Sequence, residues 1–352
     1  MLKSEIKRMN MKKALSIYLS VIAVLASCLW QDGRVVAQDA HLSQYYAAPL
    51  AINPAMTGMF EGKYRASLTH RSQWMFLDKA FTTDYFAYDQ PWKKFGFGAY
   101  LWNNRAGTST LNQLSIILSG AYEVTVDNRN IHNLTTGLQL GAIQKSLDVN
   151  NLTYDSQYDK YYADGDFNPN ISSGETFGST TYWLPEVNFG IYYHYNNPKY
   201  KFSPYVSAAG YHLTQPRESF FGNKQNRQPI KIVGYGGSKY YINDELYLDA
   251  NLLFMRKKNN NTINFGVLGY YHFEGSDYTV FIGPYYRNKD AIIMHLGILW
   301  QEYALRFSYD VNTSPLKQFS GSRGGFEVSL TYTKERKRYM PSLIHRHVIP
   351  QF

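Results

Sequence analysis

The feature that most constrains this chain is an alternation of apolar and polar residues with a period of two, repeated along most of its length. Tyr303, Leu305, Phe307, Tyr309 and Val311 fall on one face of a stretch, and Ala304, Arg306, Ser308 and Asp310 on the other. Phe326, Val328, Leu330 and Tyr332 oppose Gly325, Glu327, Ser329 and Thr331 in the same way, and Val187, Phe189, Ile191, Tyr193 and Tyr195 oppose Asn188, Gly190, Tyr192 and His194. Successive side chains of a strand point to opposite faces, so each stretch predicts a strand with one lipid-compatible face and one small or polar face. A soluble sandwich also alternates, and length separates the two. Soluble strands average about 5–6 residues, whereas about 9–11 are needed to cross a bilayer at a tilt. The stretches here reach that longer length. Beyond residue 37 no apolar run is long enough for a membrane-spanning helix.

Strands are predicted at 62–72, 80–90, 93–103, 111–125, 132–146, 186–196, 200–213, 229–241, 245–257, 262–273, 278–287, 290–299, 302–311 and 323–334. The predicted fold is therefore all-β, a transmembrane antiparallel barrel of about 14 strands of the outer-membrane type, with the even count such barrels carry. Every second connection is short, as at Gln90–Lys93, Asn196–Lys199 and Trp300–Gln301, while the others include 147–185, 214–228 and 312–322. Short periplasmic turns opposite longer outer loops are the expected asymmetry. Trp74, Phe76, Trp92, Trp183, Tyr240, Tyr241, Tyr285, Tyr286 and Trp300 lie at strand ends, where interfacial girdles form. Pro204 and Pro284 fall inside predicted strands and are expected at bulges or strand starts.

Composition agrees: aromatics are 16% of the chain, with 32 Tyr, while mean hydropathy is only −0.39, so apolar residues are dispersed and not gathered in runs. The net charge of +9 is local. Lys3, Lys7, Arg8, Lys12, Lys13 and Arg34 lie in residues 1–37, and Lys334, Arg336, Lys337, Arg338 and Arg346 crowd the C-terminus. No basic stripe interleaved with aromatics lies between, which argues against nucleic acid as a partner. Residues 1–37 read as a signal peptide, with the apolar core Ala14–Leu25 after Lys12 and Lys13 and cleavage after Ala37. The alternative is a lipoprotein signal, 1–27, with Leu25-Ala26-Ser27-Cys28 as lipobox and Cys28 lipidated. With a single Cys, disulfides contribute nothing. Residues 38–334 form the barrel, and 335–352 a basic periplasmic tail.

No catalytic signature is present: there is no Gly-x-Ser-x-Gly elbow, His-Glu-x-x-His pair or phosphate-binding Gly-rich loop. The chain is not read as an enzyme, and no cofactor, metal site or small-molecule substrate is assigned. The 147–185 loop sets Asp155, Asp159, Asp164, Asp166, Asn168 and Asn170 among Tyr154, Tyr158, Tyr161 and Tyr162. Its oxygen ligands alternate as in Ca²⁺ loops, but the Gly is misplaced and no Glu closes the loop at the twelfth position. A Tyr-rich surface for protein contact is the stronger reading.

Several segments resemble the PorP/SprF family of type IX secretion membrane proteins. Its mature start is similar to Gln38-Asp39-Ala40-His41-Leu42-Ser43-Gln44-Tyr45-Tyr46, and its Asn-Pro-Ala-x-x-Gly signature to Asn53-Pro54-Ala55-Met56-Thr57-Gly58. Its Arg-x-Gln-Trp resembles Arg71-Ser72-Gln73-Trp74, and its closing pattern Tyr309-Asp310, Ser320-Gly321 and Phe326-Glu327-Val328-Ser329-Leu330. The resemblance implies residence in the cell outer membrane, contact with its lipid, and partnership with the type IX machinery and a secreted surface protein. The role implied is assisting delivery or surface retention of particular secreted proteins, such as large gliding adhesins. The alternative is a passive porin or solute channel. Inward residues are often Ser, Thr, Asn, Gly and Tyr and lack channel-like charge rings, which fits a filled lumen better. Pro54 fixes a turn ahead of the first strand, in a segment able to seal the barrel base or simply to serve as a chain-entry turn.

Overall fold

Lipid on one side of a sheet leaves no water to pair exposed backbone, so the alternating stretches must pair with one another all the way round. In the computed structural model they do. It describes residues 40–74, 81–106, 111–125, 131–149, 152, 154–158, 167, 168, 170–175, 178–197, 199–220, 225–315, 317 and 321–335. Fourteen antiparallel strands form one closed barrel: β1 Tyr64–Gln73, β2 Phe81–Trp92, β3 Phe95–Ala106, β4 Leu111–Thr125, β5 His132–Leu147, β6 Thr181–Tyr195, β7 Phe202–Tyr211, β8 Lys231–Tyr241, β9 Leu246–Lys257, β10 Asn260–His272, β11 Tyr278–Arg287, β12 Ala291–Trp300, β13 Tyr303–Asn312 and β14 Arg323–Lys334. Each strand pairs with its neighbours in sequence, and β1 closes on β14 from Tyr64↔Lys334 to Gln73↔Gly325. No edge is left open.

The period-two pattern maps onto the wall as expected. Along β13, Tyr303, Phe307, Tyr309 and Val311 are exposed while Ala304, Arg306, Ser308 and Asp310 are buried. The most exposed large apolar side chains, among them Leu118 at 65% and Val206 at 59%, point outward. That exposure is what a lipid-facing band requires. The connections at one end of the barrel, 93–94, 126–131, 196–201, 242–245, 273–277 and 301–302, are all short; this is the short-turn rim. The opposite, long-connection rim carries 148–180, 212–230 and 313–322.

Three details differ from the sequence expectation. β6 begins at Thr181 and not at 186, so the Asp/Tyr connection shortens to 148–180. Pro204 lies at the start of β7, ahead of that strand's first partner on β6 at Tyr205, but Pro284 sits mid-strand in register opposite Met294, with no bulge. A register shift does occur between Tyr309 and Val311, opposite β14. There Gly324 lets the strands approach, since a Cβ on it would stand 2.5 Å from the Asp310 carbonyl oxygen. Tyr285 is no girdle residue: it is 1% exposed and faces the lumen, because it falls on the inward phase of β11. Trp92, Trp183, Tyr240 and Trp300 do stand exposed on the outer wall.

The N-terminal segment is the main feature the alternation could not reveal. Every residue from Leu42 to Phe60 except Ala51 is buried, and the segment runs inside the barrel from near the long-connection rim to the short-turn rim, where β1 begins. It is built of short helical turns at Tyr45–Ala47, Pro49–Ile52 and Pro54–Met56, two of them opened by a proline whose missing N–H costs nothing at a first helical position. Residues 1–37 with Cys28, Phe76, Asp159, Asp164, Asp166, Ser320 and residues 336–352 lie outside the described residues.

Candidate functional site

The lumen and the segment that fills it bring together residues from both ends of the chain. At the short-turn half, Asn53 caps its own turn by accepting from the Ala55 N–H at 2.8 Å. Its Nδ2 donates outward to the Ile191 and Ala208 carbonyls, at 2.9 and 3.1 Å, on β6 and β7. The floor beneath is a cross-strand glycine pair, Gly137 opposite Gly190. A Cβ at Gly190 would lie 2.0 Å from Asn53 Oδ1, and one at Gly137 would lie 2.3 Å from Ala55 N. Thr57 Oγ1 donates to the Pro54 carbonyl at 2.8 Å and lies 2.6 Å from the Ser119 hydroxyl, while Gln139 Nε2 reaches both Ser119 Oγ and the Leu50 carbonyl. Gly58 adopts φ +72° so that its N–H can donate to Asp89 Oδ2 at 2.8 Å, and Asp89 in turn holds Arg65 through two bonds of 3.0 and 2.7 Å. Asn53, Pro54, Ala55 and Gly58 therefore act as one docking element. It is neither a surface cap nor a free entry turn.

Toward the long-connection rim the segment meets a buried charge cluster. Arg71 Nη2 bonds Asp310 at 2.7 Å, and its Nη1 reaches Glu327 at 3.1 Å and Ser43 Oγ at 2.5 Å. Arg287 Nη2 reaches the same Asp310 oxygen at 2.7 Å. Glu327 receives the backbone N–H groups of Ser43 and Gln44 at 2.7 and 2.9 Å, and Ser43 Oγ donates to Asp310. Gln44 also accepts from Ser329 Oγ at 2.6 Å. Two carboxylates, two guanidiniums and a run of N–H donors balance one another where water is excluded, the condition under which buried ions are tolerated. Between these two anchorages lies a tyrosine cluster. Tyr45 OH donates to Asn251 at 2.5 Å, Asn251 donates to Tyr285 OH at 2.8 Å, and Tyr46 OH lies 3.1 Å from His295 Nδ1.

Of the residues singled out from sequence, Arg71 belongs to the charge cluster. Gln73 stays in the β1 ladder between Gly325 and Phe81. Trp74 leaves the strand at φ +54°, with its N–H on the Gly324 carbonyl and its ring edge-on to Phe81 at 4.8 Å. Gly321, at φ +56°, turns the exposed connection into β14 and touches none of them. The alternation set Arg306, Asp310, Glu327 and Gly190 on polar or small faces without joining them, while Arg65, Asp89, Arg287 and Gly96 were not singled out from the sequence. The inward face is richer in charge than expected; apart from Arg306, the charges named here bond one another and the segment instead of ringing an open channel. One signal was available: charged residues and glycines on the inward phase of strands.

At the long-connection rim a further polar chain joins wall to connection. His212, pushed below its ordinary pKa by burial despite its bond to Glu186 at 2.8 Å, also meets Gln228 and Asn188. A salt bridge between Lys145 and Glu218 fastens the 212–230 connection to β5. Among the described residues no group of three or more His, Cys, Asp or Glu is placed to hold a metal ion.

Fourteen strands with apolar outer faces, closed around a polar, occupied lumen, define a membrane barrel of the outer-membrane type. The chain belongs to the PorP/SprF family, described as type IX secretion system membrane proteins, whose profile matches residues 35–332, and it resides in the outer membrane. No curated protein sequence matches it. Among solved structures it is similar to the CymD monoaromatic hydrocarbon channel, at 13% identity and a TM-score of 0.47 over 83% of this chain and 94% of that one. It is similar also to the toluene transporter TbuX of Ralstonia pickettii, at 13% and 0.47 over 82% and 93%. A FadL homologue of Pseudomonas aeruginosa matches at 13% and 0.41 over 81% and 94%. What those proteins carry is their own property.

Proposed function

We propose that this protein is a non-catalytic outer-membrane partner of the type IX secretion machinery that assists the delivery or surface retention of specific secreted proteins, such as large adhesins. The observation that carries the reading is the occupied lumen. A segment of the chain's own N-terminal region is bonded to the wall at both ends of the barrel, through Asn53, Gly58, Ser43 and Gln44. A barrel so filled offers its partners rims and connections, not a conduit. The long-connection rim, with Tyr154 and Tyr158 in the 148–180 connection, faces the cell exterior and offers rigid amphipathic side chains suited to protein contact. The basic tail, 335–352, lies in the periplasm, where machinery can meet it. Deleting the gene should remove one or a few surface proteins from a comparative surface proteome and leave solute uptake unchanged. Slowed uptake with an unaltered surface proteome would favour a passive solute channel instead.

A further inference from the structure

Among the described residues, every buried guanidinium and ammonium of the lumen but one faces a carboxylate. Arg65 has Asp89; Arg71 and Arg287 have Asp310 and Glu327; and Lys239 stands directly opposite Asp249 across β8 and β9. Arg306, on β13, is 3% exposed and has no carboxylate within salt-bridge distance among the described residues. Its one partner is the Thr331 hydroxyl at 2.9 Å, and its Nε meets no acceptor. The neighbouring inward positions on β14 and β1 are also donors. Thr331 lies opposite Ser67, whose hydroxyl is 3.4 Å away; the Thr69 hydroxyl is buried without a partner; and so is Nη1 of Arg65. The row above is closed by Gln44 of the lumenal segment, bonded to Ser308 and Ser329.

A narrow cleft leads from the short-turn rim to Arg306 past Ala304, Thr331 and Thr333, with room for about a single water-sized particle. Two carboxylates stand at its mouth. Both oxygens of Glu302 are taken, by Lys334 Nζ and Tyr332 OH at 2.8 Å each, and hydrogen bonding from Lys334 first and Tyr332 second holds that carboxyl below its ordinary pKa. Glu335 is exposed to solvent.

We propose that the wall around Arg306 is an anion site, taking a small inorganic anion of about chloride size between β13, β14, β1 and the lumenal segment. A water molecule could satisfy the orphan N–H and O–H groups but would leave the guanidinium charge uncompensated at the buried end of a narrow cleft, where an unpaired ion is costly. An anion answers both demands at once. It would also complete the seat of the lumenal segment on the side that Asn53 does not reach.

The test uses the purified full-length protein in detergent, with chloride replacing gluconate at constant ionic strength. The unfolding midpoint should rise saturably by a few degrees with chloride and with bromide, and Arg306→Gln should abolish that dependence. Bromide-soaked crystals of the unaltered protein should give an anomalous peak within hydrogen-bond distance of Arg306, a result that does not depend on the variant folding. A midpoint indifferent to halide, the same halide dependence in Arg306→Gln, or water without anomalous signal beside Arg306 would overturn the proposal.

Discussion

At the scale of single residues, glycine is used in this barrel to let one backbone lie against another. Gly137 and Gly190 face each other across β5 and β6 and leave a flat patch on which Asn53, Pro54 and Ala55 rest; Gly96 serves Thr57 likewise, its Cβ position lying 1.9 Å from the Thr57 carbonyl oxygen. The wall strands are paired on both sides and cannot retreat, so a methyl group there must displace the segment. Gly190→Ala should therefore cost about 1–3 kcal/mol, the usual penalty for overpacking a well-filled interior. It would be read as a lower temperature at which the SDS-resistant folded band disappears. Gly120→Ala, at an outward position with nothing within 4 Å, should leave that temperature unchanged. Equal behaviour of the two variants would show that the segment does not bear on the glycine floor.

At the scale of elements, the asymmetry between the rims carries the orientation. The short-turn rim receives both ends of the wall, Tyr64 and Lys334, while the 148–180 connection lies at the other end. If the short turns are periplasmic, a cysteine placed at Ser173 should be labelled by a membrane-impermeant thiol reagent on intact cells, and one at Ser342 only after the outer membrane is permeabilised. The reverse pattern would invert the assignment of both rims. The lumenal segment is the other element with a physical identity of its own. Its helical turns are too short to be stable alone, and they persist because the wall satisfies their polar groups and buries their tyrosines.

For the whole molecule, closure is the decisive property. Ten register pairs, Tyr64↔Lys334 through Gln73↔Gly325, join the first strand to the last, so no strand can peel from an edge without breaking two ladders. The purified protein should resist SDS unless boiled, migrate differently before and after heating, and give a circular dichroism spectrum dominated by β signal in detergent. A spectrum with more than about a third helix, the share of an ordinary globular protein, would be incompatible with this barrel.

The number of strands, their places in the chain to within a few residues, the lipid-facing side of the most regularly alternating strands and the division into short and long connections were legible in the sequence. The reason is that lipid imposes the same local, period-two demand on every strand, and a local demand leaves a local pattern. The inward faces obey no such rule. Ser43, Arg71, Arg287, Asp310 and Glu327 are scattered along the chain, Ser43 and Glu327 being 284 residues apart, and only the closed barrel makes them one cluster. The resemblance of the segments at Ser43, Asn53, Arg71 and Glu327 to family motifs marked the pieces, but not that they meet. Which side chain an inward position needs depends on what lies across the lumen, and that is a non-periodic, long-range question. The sequence by itself thus determined the wall. Tertiary structure alone decided what the wall encloses, because packing across a lumen is set by contacts that no local pattern encodes.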